Sequence, residues 1–306
     1  MRDPAFYERD TFNNDRIEVL RGSASMLFGR GSTGGAVNQV SKTGRTIDGH
    51  EISTTLGSHD YRRIAGDFNL HTGDNAGLRI NAMATAADNN GAGARPDKRG
   101  LAASYRWGIG TANEFSASLY HLDNRNGINY GLPWVREGAG SPVSKTALNT
   151  RLDPKDTYGL ASDSNDGTAT FATFSHTHRI RDDGELRTQV RRGSYARDQR
   201  SGAIRFAGTN DSATNPLTNP ATVTADNLND NTVLNRGTHN RIQDFDSLYI
   251  QSDLSRKFEA YGLRHELTAG VDLARERKTV FAALNGAQGG IDITRNPRPR
   301  SGATCR

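Results

Sequence analysis

From Glu51 onward the hydropathy of the chain alternates residue by residue, in segment after segment. Ile64, Phe68 and Leu70 alternate with Arg63, Asp67 and Asn69. Leu78, Ile80, Ala82, Ala84 and Ala86 alternate with Arg79, Asn81, Met83 and Thr85. The same holds from Leu101 to Ile109, from Phe115 to Tyr120, from Leu248 to Leu254 and from Glu266 to Leu273. Successive side chains of a strand point to opposite faces, so these are strands with one apolar and one polar face. Segments of about 9–11 residues are expected, about nine of them between residues 50 and 280. The pattern blurs only around 169–180 and 186–197, where His176 and Arg192 break either choice of face.

The connections narrow the choice further. Turns near His71–Gly77, Gly110–Asn113, Arg181–Gly184 and Ala260–Gly262 are short and polar. Between them lie a stretch of about 10 residues around Asn89–Asp97 and two of roughly 40, Asn126–Gly167 and Gln199–Asn240, lengths that compact soluble domains rarely hold without structure. Short turns at one end and long loops at the other is how an outer-membrane β-barrel is built. A soluble β-sandwich with one wet face also alternates. It would need a second apolar sheet to cover the first, and its polar face would not need Arg, Asp and Glu in strand after strand. The predicted fold class is therefore all-β, an antiparallel meander forming part of a large transmembrane β-barrel.

Composition excludes several other classes. The 39 Lys and Arg and 34 Asp and Glu residues are interspersed, giving a net charge of +5 without the basic stripe of a nucleic-acid binder. No run approaches the roughly 20 apolar residues of a spanning helix. Cys305 is the single cysteine, so neither a disulfide framework nor a cysteine zinc site is expected. Met1-Arg2-Asp3-Pro4 opens without an apolar h-region, and no secretory signal is predicted in this chain.

Local motifs with chemical meaning are few. Gly29-Arg30-Gly31-Ser32-Thr33-Gly34 matches G-x-G-x-x-G, but a helical turn precedes it and a strand follows, the reverse of a dinucleotide site. His176-Thr177-His178 could supply half a metal site, yet no third ligand stands nearby. Asp163-Ser164-Asn165-Asp166-Gly167 resembles the opening of a calcium loop with the wrong spacing and no distal Glu. No G-x-S-x-G elbow and no isolated carboxylate pair occurs, so an enzyme is not expected.

Residues 1–45 read differently from the rest. Ile17–Leu20 is a short strand, Ser23 can cap a brief helix over residues 24–28 that Gly29 ends, and a glycine-rich stretch leads into a second strand, Ala36–Ser41. The stretch RIEVLRGSASMLFGRGSTGGAVNQVSK, Arg16 to Lys42, resembles the end of the plug domain of TonB-dependent outer-membrane receptors, most of all the siderophore branch, catecholate-type receptors included. Gly22, Gly29, Gly31, Gly34, Gly35 and Asn38 carry the motif; Ser23 stands where the family usually has Pro.

The resemblance implies a domain plan: residues 1–45 the C-terminal part of a plug and 50–280 about nine N-terminal strands of a barrel of about 22; after Phe281 the strand pattern dissolves, and the Arg- and Pro-rich end makes 281–306 a loop or an out-of-frame tail. Because the family is about twice this long, the chain is expected to be a truncated portion, lacking the TonB docking box and unable to transport alone. The implied function is import of ferric siderophores across the outer membrane, energised through TonB, with no cofactor and no chemistry on the cargo. Implied partners are the ferric siderophore, the TonB complex and outer-membrane lipid, but not nucleic acid. Arg21 corresponds to a plug arginine that pairs with wall carboxylates and locks the plug in place. In the Asn126–Gly167 loop, Tyr130, Trp134, Arg136 and Tyr158 could receive a flat anionic chelate by stacking and charge. Tyr130 and Trp134 would equally suit an interfacial aromatic belt. The rival reading is a passive porin-like or adhesin-type barrel.

Overall fold

The computed structural model describes residues 4, 6–22, 34–88, 94–129, 134–138, 140–142, 146–148, 163–181, 183–206, 219–220, 222–281, 283–285 and 290–291. Strands β1 (Asn14–Arg21) and β2 (Gly35–Ser41) pair as an antiparallel hairpin. Then follow β3 (Gly49–Gly57), β4 (Tyr61–Gly73), β5 (Ala76–Ala86), β6 (Asp97–Trp107) and β7 (Asn113–Asn126). A small pair, β8 (Trp134–Arg136) and β9 (Thr146–Leu148), sits in the first long loop. Next come β10 (Ser164–Ile180) and β11 (Gly184–Arg200), then a second small pair, β12 (Gly202–Phe206) and β13 (Leu234–Thr238). Then come β14 (Arg241–Ala260) and β15 (Leu263–Phe281), followed by a last small pair, β16 (Ala283–Asn285) and β17 (Gly290–Ile291).

β3–β7, β10, β11, β14 and β15 form one nine-stranded sheet in which each strand pairs antiparallel with the next in the chain. Every turn at one end is short: Asp74–Asn75, Gly108–Ala112, Arg181–Asp183 and Tyr261–Gly262. Tyr261 and Gly262 both adopt positive φ (54° and 76°), as a two-residue turn matched to strand twist requires. The long connections all lie at the other end, as expected, except that β3 and β4 are joined there by only Ser58–Asp60.

Register places the apolar residues in rows. Leu70, Leu78, Tyr105, Ala117, Phe174, Val190, Ile250 and Leu273 are successive cross-strand partners over eight strands. This face is uncovered: Leu101, Leu119, Val271 and Leu273 are each half exposed or more. Tyr105, Trp107, Phe115 and His176 stack ring on ring toward its turn end, with centroids 5.4, 5.2 and 4.4 Å apart. His176 thus belongs to the outer face; its Nε2 and the Nδ1 of His178 lie 3.0 and 2.9 Å from Asn113 Oδ1. Arg192 is on the outer face too, across from Leu248, where the apolar band gives way to charged residues such as Arg275 and Arg277.

The opposite, polar face is the buried one. Asn81, Ser104, Asn124, Gln199 and Gln243 are almost wholly enclosed, alongside Met83, Ala102, Tyr120, Leu122 and Tyr195. What encloses the first strands is the N-terminal segment, whose Tyr7 and Phe12 join that core. The sheet is therefore inside out relative to a soluble protein.

Strand length departs from the expected 9–11 residues. β10 and β11 have 17 residues each, β14 has 20 and β15 has 19. Beyond the apolar band both faces of these strands are polar, as in Asp198–Arg200 and Arg275–Lys278, so alternation cannot report where the strand ends. The expected helix over residues 24–28 and the tail with Cys305 lie outside the described residues.

Candidate functional site at the inner face

The N-terminal segment meets the sheet through two rings. Phe12 stacks on Tyr120 of β7 at 5.5 Å, and Tyr7 packs against Tyr195 of β11 at 5.1 Å. Gly100 makes room for Phe12, since a β-carbon there would lie 2.6 Å from its ring. The Asp10 carboxylate accepts from the Phe12 backbone N–H at 3.0 Å, a local Asx turn that sets the ring's direction.

Carboxylates on this segment are received by donors on the wall. Asp10 is held by both terminal nitrogens of Arg63 on β4, at 2.7 and 3.0 Å. A two-point contact of this kind adds direction as well as energy. Glu8 accepts from Asn126 Nδ2 (2.6 Å) and Asn165 Nδ2 (2.8 Å) and pairs with Lys98 Nζ (3.0 Å), residues of β7, β10 and β6. Its backbone carbonyl takes Asn124 Nδ2 at 3.3 Å.

Where the chain leaves β2 for the sheet, it is clamped. Asn69 of β4 accepts from Arg45 N at 3.0 Å and donates to Arg45 O (3.0 Å) and to Ile47 O. Asp48 takes the backbone N–H of His71 at 2.7 Å. Gly44 and Gly77 let the two backbones touch: a β-carbon on Gly44 would overlap the Gly77 carbonyl, and one on Gly77 the carbonyl of Arg45. Arg106 donates to Gly44 O at 3.3 Å, and Lys42 reaches Asp67, which also holds Arg79 in a two-point contact.

The motif residues occupy the β1–β2 hairpin. Gly22 has φ +91°, and its N–H donates to Gly34 O at 3.4 Å. Gly35 has φ +140° and lies so close to Leu20 O that no side chain fits. Asn38 donates to Glu18 at 2.8 Å; Arg16 and, after it, Asn38 hold the Glu18 carboxyl below its ordinary range. Arg21 is exposed at the end of β1. Among the described residues, the pairs that tie the N-terminal segment to the wall are made by Glu8, Asp10 and Lys42. Gly29 and Gly31 lie outside the described residues, as do Tyr130 and Tyr158.

At the loop end the two long loops pack on each other. Val135 of β8 is buried with Val223, Leu228 and Phe206, and the Arg136 carbonyl accepts from Ala225 N at 2.8 Å. Trp134 and Arg136 are therefore on a strand anchored to the neighbouring loop. Glu8, Asp10, Arg63, Lys98, Asn126 and Asn165 carry no sequence signature, because the bonded partners are 53 to 157 residues apart. Only the density of Asn and Arg on the polar face of the strands hinted at them.

No family model matches the chain. The catecholate siderophore receptor Fiu of Escherichia coli O6:H1 is 29% identical over 286 residues, covering 92% of this chain and 36% of that protein. The crystal structure of the open form of the ferric-catecholate import receptor Fiu from E. coli K12 superposes with a TM-score of 0.78 at 26% identity, over 95% of this chain and 44% of that one. The chain is homologous to the TonB-dependent siderophore receptors. BfrD of Bordetella pertussis, a probable TonB-dependent receptor, is 32% identical over 181 residues, which is 58% of this chain and 24% of BfrD. The nine-stranded sheet thus corresponds to a portion of the barrel wall of these relatives, and the chain spans about a third of the length of its Fiu relatives (36%). These relatives are transport receptors, not enzymes.

Proposed function

We propose that this chain is the wall-and-plug-end portion of an outer-membrane receptor that imports ferric siderophores with energy delivered through TonB. The observation that carries the reading is the covered polar face. A passive porin keeps its inner face open to water, whereas here buried asparagines and tyrosines of the wall are sealed by residues 6–15 and 42–48. A filled lumen needs a driven rearrangement before anything passes, and the cargo crosses without chemistry or a resident cofactor. The uncovered apolar face, flanked by its ring ladder, suits outer-membrane lipid.

The test is uptake of radioactive iron, supplied as a ferric tris-catecholate, by iron-starved cells expressing the full-length receptor with and without TonB. Uptake that disappears without TonB supports the reading. Equal uptake in both strains would assign a passive barrel.

Trp134 and Arg136 are the ligand-contacting candidates within the described loops, and Tyr130 and Tyr158 belong to the same proposal. Replacing Trp134 and Arg136 together with Ala should weaken uptake by about several-fold, the loss of a stacking and a charge contact. Unchanged uptake and affinity would leave Trp134 as a belt residue.

A further inference from the structure

We infer that the wall donors around Glu8 and Asp10 form an anion-receiving site, filled at rest by the protein's own carboxylates and taken over by the anionic ferric chelate in transit. The inference rests on the reading of the chain as a siderophore importer. Four side chains on four strands make the site: Arg63 (β4), Lys98 (β6), Asn126 (β7) and Asn165 (β10). Three of them are aimed by the wall itself. Asn126 Oδ1 accepts from the backbone N–H of Asp97 at 2.9 Å, which turns its amide nitrogen toward Glu8. Asn165 Oδ1 accepts from Arg197 Nε at 3.1 Å, with the same consequence. Arg63 Nη1 is steadied by Thr85 Oγ1 at 2.8 Å. The donors would keep these directions with the carboxylates gone.

Withdrawal of the N-terminal segment then has an electrostatic cost. With the segment docked the side chains of Arg63 and Lys98 are only 20% and 19% exposed, and its withdrawal exchanges their charge-assisted carboxylate contacts for water. An arriving anion offsets that cost, and the wall favours the open state when cargo is present. Iron(III) wrapped by doubly deprotonated catechols carries a net negative charge and presents ring faces. The same inner face offers rings beside cations, with Arg191 lying 3.8 Å over the Phe171 ring. Glu8 and Asp10 act as placeholders, matching the cargo in charge.

Two variants of the full-length receptor separate this role from simple anchoring. Glu8→Gln removes the placeholder charge, keeps one of the two oxygens that Asn126 and Asn165 now bind, and leaves Lys98 free for the cargo. Glu8→Gln with Lys98→Met keeps the same change in the segment and takes the Lys98 charge from the wall, with Arg63 still in place. Both are compared for TonB-dependent uptake of radioactive iron from a ferric tris-catecholate, with trypsin resistance of the N-terminal segment confirming that it stays docked. The expected result is uptake faster than the parent for the single variant and at least about fivefold slower than the single variant for the double. Uptake by the two variants within about twofold of each other would overturn the inference, since an anchor alone does not distinguish them. A parent receptor that takes up no iron would instead overturn the functional reading beneath it.

Discussion

Replacing Gly77 with valine is expected to detach the N-terminal segment from the wall while leaving the sheet itself folded. Gly77 faces inward on β5, where its backbone touches the backbone of residues 44 and 45. A β-carbon in that contact meets carbonyl atoms, and no side-chain rotation can relieve a clash with backbone. Valine is otherwise welcome in a strand, so pairing of β4, β5 and β6 should persist. What has to move is the exit segment, and with it the bonds from Asn69 to Arg45 and Ile47 and from Arg106 to Gly44. Overpacking commonly costs about 1–3 kcal/mol where side chains can adjust, and a backbone contact stands at or above that range. In outer membranes carrying the full-length variant, trypsin should cut the N-terminal segment at least about tenfold faster than in the parent, about 1.4 kcal/mol of lost protection. The barrel should still migrate as a heat-modifiable band. Parent-like protection would show that the glycine contact does not hold the segment.

Leu119→Arg should have a comparable effect on the barrel. Leu119 lies on the outer face of β7 between Ala103 and Ala172 and is half exposed. If lipid covers that face, an arginine near mid-band costs about 2–4 kcal/mol and sharply lowers the yield of folded receptor in vesicles. If water covers it, a half-exposed leucine replaced by arginine changes stability by no more than about 0.5 kcal/mol. Denaturant titration of folded receptor in lipid vesicles measures the difference, and an effect below 1 kcal/mol would argue against lipid contact.

Legibility in the sequence followed the range of each interaction. The strands were readable because alternation is local, and loop asymmetry gave the two ends of the sheet. The glycines at 22 and 35 could be placed by motif, and their positive φ values account for them. Strand ends were not readable where both faces turn polar, as at Asp198–Arg200. His176 and Arg192 blurred the pattern because each sits at a margin of the apolar band, among rings at one edge and charged residues at the other. The wall contacts of Glu8 and Asp10 were invisible for a different reason. A carboxylate in a polar N-terminal stretch looks solvated until the fold brings Arg63, Lys98, Asn126 and Asn165 around it.

The central claim is that one polar face of this sheet is packed inside a barrel while the apolar face meets lipid. Spin labels placed singly along β7, from Asn113 to Asn126, in the full-length receptor reconstituted in lipid vesicles, test it most directly. Collisions with oxygen, which concentrates in lipid, should peak at 115, 117 and 119 and fall at 116, 118, 120 and 122. A water-soluble nickel complex should reach none of the labels at 115, 117 and 119. Oxygen accessibility without that alternation, or free access of the nickel complex to those three positions, would contradict the inside-out arrangement.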